Sequence, residues 1–409
     1  MGAGPSGALC CASHAALATF AKSHVDEHFG VGTSEALQRL AELLQRVEAK
    51  IAGGRRFSHP FMLNMGMLLK QVAQERRYKT PLTTGAAFED AKVLRKAGRY
   101  ARYALAAPST EKRAIADCIG DLQPEDVKHV QAGSIAICPG YFITMDHATD
   151  DIVLCIRGAE REGPAEGLAE ALSPKEPLLG GNAHAGLLKR AKGLVECASQ
   201  TLTRLSSESP RKGLAVVGHG VGGGIATLAT ILLSADGCPF AKLMATGKVK
   251  CYAFAPSPSF EPLWALPAWV HGSTYSFIYN MDCVPRACIG TVTKLYLALQ
   301  SIDELPLSAE RRLAYLRGEC EMPYILPDYT DVPQAMADIV GNSLFVVGTI
   351  VALFPAEHDM MLCEVAAPHM VDRILLHPDM VHDHAMSCLE QAFFRLGSQF
   401  GTMDGCAIS

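Results

Sequence analysis

The sequence predicts an α/β fold: a mostly parallel central sheet flanked by helices, preceded by a helical N-terminal segment. Three observations predict it. Beyond Pro139, short apolar runs alternate with helical patterns, the rhythm of parallel strands joined by crossover helices. One run, 214–217, passes through a cluster of glycines straight into an apolar helix, 225–233. The first hundred residues carry amphipathic helical stripes instead.

Leu37, Leu40, Leu44, Val47 and Ile51 recur at helical spacing, with Ser34 expected as the N-cap and Gly53-Gly54 as the stop. A second helix is expected over 60–77, where Met62, Met65 and Met67 read as core filler rather than ligands. A third covers 88–107. Strands follow at 141–145 and 152–156, joined by the polar turn His147-Ala148-Thr149-Asp150. The second is continuously apolar, as a strand buried on both faces requires. From His184 a long helix turns Leu187, Ala191, Leu194, Ala198 and Leu202 to one side. Further strands are expected at 214–217, 248–254, 275–279 and, last, 371–376. The stretch 295–342 breaks the rhythm and reads as an insertion. This divides the chain into an N-terminal segment (1–30), a helical region (31–107), an α/β domain (108–395) and a tail (396–409).

With 409 residues, 49% of them hydrophobic, the chain can fill one large α/β core and an accessory segment. A net charge of −5, from 37 basic and 42 acidic residues without strong blocks, leaves no electrostatic footprint for nucleic acid. The longest apolar run, 343–355, is too short to span a bilayer. Fourteen cysteines are scattered without zinc-type pairing, so they read as free thiols in a reducing compartment, and no metal is expected. The N-terminus lacks the basic region of a signal peptide.

Both ends carry lipidation patterns. Gly2 with Ser6 fits N-myristoylation, and Cys10 and Cys11 offer palmitoylation sites. Cys406-Ala407-Ile408-Ser409 fits a C-terminal prenylation box. One myristoyl chain binds a membrane only marginally, so a second group would make the anchor stable. The expected location is intracellular, on the cytoplasmic face of a membrane if these sites are used. The alternative is two plain termini.

The glycine-rich turn 218–224 admits two readings. Gly218, Gly220 and Gly223 satisfy the G-x-G-x-x-G of a dinucleotide site, which points to an NAD-type oxidoreductase. That reading needs a carboxylate at the end of the next strand, and Tyr252-Ala253-Phe254-Ala255-Pro256 has none. The other reading is a nucleophile elbow, G-x-S-x-G, with Gly218 and Gly222 as flanks and Gly220 at the centre. Its central residue has positive φ, which glycine adopts at little cost.

Here the sequence resembles the class 3 (fungal-type) lipases, and within them the diacylglycerol lipase-like branch, over roughly 99–394. Six ordered blocks carry the resemblance: 139–158 ending in Arg157-Gly158, His184-Ala185-Gly186, 218–223, 252–256, Asp282-Cys283-Val284-Pro285-Arg286, and Asp383-His384. The resemblance implies an α/β-hydrolase fold, no cofactor, and an acyl ester or lipid ligand. It implies that Asp282 orients a catalytic base, His384, and that Gly220 stands where the family has serine. Ala159 stands where the family has Thr or Ser, and the backbone N–H groups of Ala159 and Val221 would form the oxyanion hole. A lid is expected over 160–182. Taken singly, Asp282 reads as a turn residue, and His382-Asp383-His384 as surface polar groups rather than a metal site. The resemblance therefore leaves a pseudo-lipase at a membrane surface, or an active acylglycerol hydrolase in which Gly220 substitutes the working serine.

Overall fold

The computed structural model describes residues 25–27, 33–50, 57–75, 80–133, 137–158, 173–238, 240–326 and 343–404. The lipidation residues Gly2, Cys10, Cys11 and Cys406 lie outside the described residues, as does Ala159. No described helix is long and apolar enough to cross a membrane. The described cysteines are all free thiols.

Helices α1 (Thr33–Lys50) and α2 (Phe61–Glu75) open the described chain. Ser34 lies within the first turn of α1 rather than capping it. The Asp26 carboxylate takes that role, accepting the Ser34 N–H at 2.9 Å and its hydroxyl at 2.5 Å. Next come α3 (Ala91–Ala106), started by Asp90, whose carboxylate accepts the Val93 N–H, and α4 (Lys112–Ile119).

Eight strands form the main sheet: β1 (Val127–Gln131), β2 (Tyr141–Asp146), β3 (Asp151–Ile156), β6 (Gly213–His219), β7 (Val249–Phe254), β9 (Thr274–Tyr279), β10 (Thr349–Pro355) and β11 (Met361–Ala366), in that spatial order. From β3 to β10 neighbours run parallel, while the pairs β1–β2, β2–β3 and β10–β11 at the two edges are antiparallel. Both faces of the centre are covered, which is why β2 and β3 are buried throughout. On one face pack α5 (Ala185–Glu208) and α6 (Val221–Ser234). On the other, α3 packs Tyr100 and Tyr103 beside α9 (Met386–Asp404). The third N-terminal helix is thus part of the sheet's own layer. The architecture is the α/β-hydrolase fold.

A second, smaller sheet joins β4 (Lys175–Leu178), β5 (Gly181–His184) and β8 (Phe260–Glu261). Of the expected lid, 160–172 lies outside the described residues, whereas 175–182 is held in this hairpin and paired through β5 to β8.

Two expectations are corrected. Residues 371–376 form no strand: Ile374 and Leu376 are fully buried, but against helices rather than the sheet. An apolar run of that length reports burial without reporting which kind of element it joins. The sheet ends instead on β10 and β11. The second correction concerns 295–342. Its described part begins inside α7 (Ile289–Asp303) and continues through α8 (Ala309–Arg317). Both share a core with α1 and α2, through Leu37, Leu44, Leu68, Val292, Leu299 and Leu316. The inserted helices and the N-terminal helices therefore make one unit. Arg312, fully buried there, donates to Asn64 Oδ1 at 2.8 Å and to the carbonyls of Ile302, Asp303 and Leu305, each at 3.1 Å.

Candidate active site

Strand β6 ends at His219 and α6 begins at Val221, so the chain reverses on Gly220 alone, at φ +56° and ψ −121°. Three backbone bonds fix the turn. Gly220 N–H donates to the Phe254 carbonyl at 2.9 Å, and its own carbonyl accepts from Ser257 N–H and Gly224 N–H, both at 3.1 Å. The flanking glycines are there for close approach. A Cβ on Gly218 would lie 2.3 Å from the Gly222 carbonyl oxygen, and one on Gly222 would lie 2.8 Å from that of Ile156. A Cβ on Gly223 would sit 3.1 Å from Pro256. Strand-to-helix packing thus gives the G-x-G-x-x-G spacing a physical reason that needs no phosphate.

Asp282 follows β9 and is fully buried; its Oδ1 accepts the Val284 N–H at 2.9 Å. Its two oxygens lie 3.0 and 3.1 Å from His384 Nδ1. His384, 5% exposed, directs its other nitrogen at the elbow: Nε2 lies 3.2 Å from where a Cβ on Gly220 would be. The fold therefore brings Gly220, Asp282 and His384 together from three separate stretches of chain.

Two neighbours hold this dyad, and neither was assigned a role from the sequence. The His219 ring stacks on the His384 ring, centroids 4.6 Å apart, and its Nε2–H donates to the His384 carbonyl at 2.9 Å. Burial, then the adjacent His384, pushes the His219 pKa down to about 3, so its imidazole is neutral. Asp383 accepts Asn280 Nδ2–H at 2.9 Å and Met281 N–H at 3.0 Å, tying the base loop to the acid loop. Burial is the main cause that raises its pKa to about 7. Adjacency to Gly220 and to His384 was the one signal that could have marked these residues. The expectation of surface polar groups at 382–384 is corrected: His382 is exposed, but Asp383 and His384 are buried. Among the described residues no cluster of His, Cys, Asp and Glu is arranged to hold a metal.

Val221 is the first residue of α6, where helix geometry leaves the leading amides without intrahelical acceptors. Ser257 lies beside the turn through its N–H bond to Gly220, and its buried hydroxyl has no partner among the described residues. Among the described residues no bond joins the hydroxyl of Ser257 or of Ser259 to His384.

Residues 153–291 match the family model described as Lipase (class 3). This segment is similar to the class 3 lipase family. The matched stretch holds the elbow and Asp282, while His384 lies beyond its end. Solved structures similar to it include a lipase from Rhizopus microsporus var. chinensis, at 15% identity and TM-score 0.48, covering 74% of this chain and 90% of that one. The native Rhizomucor miehei lipase propeptide complex is similar at 13% identity and TM-score 0.48, covering 76% and 90%. No curated protein matches the sequence.

Proposed function

We propose that this chain is a pseudo-lipase: it binds an acyl ester or related lipid at a membrane surface and does not turn it over. One observation carries the reading. His384, oriented by Asp282 at 3.0 Å, faces a glycine where the acyl-accepting hydroxyl would stand. A base without a nucleophile cannot form an acyl-enzyme. Losing the nucleophile of such a triad removes a factor on the order of a million from the rate, leaving binding and oxyanion stabilisation. The Val221 amide remains available for the latter. Membrane attachment would come from myristoyl or palmitoyl groups at Gly2, Cys10 and Cys11, and from a prenyl group at Cys406.

The intact dyad favours a second reading, an active acylglycerol hydrolase in which glycine has replaced a working serine. Both readings are tested on the native chain with vesicles containing di- or triacylglycerol and with short-chain nitrophenyl esters. The pseudo-lipase binds the vesicles and releases fatty acid at the rate of the protein-free blank. Release above the level of a His384→Ala variant overturns it. Labelling with myristate and farnesol analogues tests the anchor, and no label at Gly2 or Cys406 removes it.

A further inference from the structure

We infer that the vacated nucleophile position is a receptor for the carboxyl group of a long-chain fatty acid, held between His384 Nε2 and the first amides of α6. The inference rests on the lipid-binding reading above and specifies its ligand. His384 is buried and has one nitrogen satisfied: Nδ1 faces both oxygens of Asp282. Its Nε2 is bonded to nothing among the described residues. The ring is buried as a whole but this nitrogen is reachable from the vacated position, so a ligand atom placed there can bond to it. Among the described residues beyond its chain neighbours His219 and Val221, only the His384 Nε2 and Cε1 atoms lie within 4 Å of a Cβ placed on Gly220, so the space His384 faces has room for a ligand atom. Serine would fill that space and occupy Nε2 with its own hydroxyl. Glycine leaves both to a ligand.

The proton count selects the ligand. Nδ1–H is committed to Asp282, so neutral His384 presents a lone pair at Nε2. A carboxylic acid donates its O–H to that lone pair, or equivalently a carboxylate accepts from the imidazolium; either way one proton is shared between Nε2 and a ligand oxygen. An ester has no proton to give and sets its carbonyl oxygen against the lone pair. The second carboxyl oxygen meets the leading amides of α6, a fourteen-residue helix whose N-terminus favours negative charge. The site thus favours the acid over the ester that the family's chemistry would consume. The long acyl chain is taken from the lipid-binding reading above.

The test is displacement of a fluorescent fatty-acid analogue from the full chain by oleate, methyl oleate, oleyl alcohol and acetate. Oleate is expected to bind at least tenfold more tightly than methyl oleate or oleyl alcohol, and acetate to displace nothing at matching concentrations. His384→Gln is expected to remove the preference for the acid. Because that variant disturbs a buried pair, the comparison of acid with ester on the unaltered chain stands by itself. Equal binding of oleate and methyl oleate overturns the carboxyl receptor while leaving a lipid site in place. Displacement by acetate as effective as by oleate overturns the long-chain assignment. Binding of neither oleate nor methyl oleate overturns both this inference and the reading on which it rests.

Discussion

Gly220→Ser returns the one atom that the site lacks, and its consequences follow from two distances and one angle. The new Cβ would meet His384 Nε2 at 3.2 Å and Cε1 at 3.4 Å, with no other atom within 4 Å among the described residues apart from its chain neighbours. The imidazole must therefore yield by a few tenths of an ångström, an overpacking cost of about 1–2 kcal/mol. Serine must also adopt φ +56°, which costs a non-glycine residue about another 1–2 kcal/mol. A total loss of about 2–4 kcal/mol is expected in urea unfolding. The same substitution places a hydroxyl on a base that Asp282 already orients. Short-chain ester hydrolysis should rise at least ~100-fold over the native chain, a conservative share of what a nucleophile contributes. Activity bought with stability is the signature. A variant that unfolds at the native urea concentration and hydrolyses no faster would refute the geometry that links residue 220 to His384.

Within the Gly220→Ser background, Asp282→Asn should lower kcat about 10⁴-fold, because the dyad would then hold the wrong tautomer; ester hydrolysis checks it, and a loss under tenfold would break the dyad assignment. Asp383 has its pKa raised from 3.8 to about 7, so the folded state keeps a proton that the unfolded chain gives up. Stability from this group is full below about pH 4, falls as pH rises to about 7, and is flat above. Asp383→Asn still accepts from Asn280 and Met281, and should stabilise the fold at pH 8 by up to about 4 kcal/mol while changing little at pH 4, as urea unfolding at the two values will show. Arg312→Leu leaves four carbonyls, those of Ile302, Asp303, Leu305 and Leu307, and the Asn64 oxygen without their buried donor. A loss of about 2–5 kcal/mol is expected in the same unfolding assay.

The alternation of strands and helices after Pro139 was legible because strands such as 152–156 are unbroken apolar runs and the helix 185–208 carries a 3.6-residue apolar stripe. The elbow was legible because close packing admits only glycine at 218 and 222 and leaves little room at 223, and that leaves a spacing in the sequence. Other features depend on partners far along the chain. Ile374 and Leu376 are as apolar as a strand would make them, yet they cover helices from the other end of the protein. The helices at 289–317 looked like an insertion because the helices they bury, at 33–75, lie more than two hundred residues away. His219 and Asp383 carry no local mark of burial. Their roles arise only when β6, the turn after β9 and the loop before α9 converge on His384.

Intact mass spectrometry of the native chain after exposure to a fluorophosphonate reads the missing oxygen most directly. The pseudo-lipase keeps its unmodified mass, while the Gly220→Ser chain gains one adduct at residue 220. A stoichiometric adduct on the native chain, at Ser257 or any other serine and lost in His384→Ala, would show a working nucleophile and contradict the proposal.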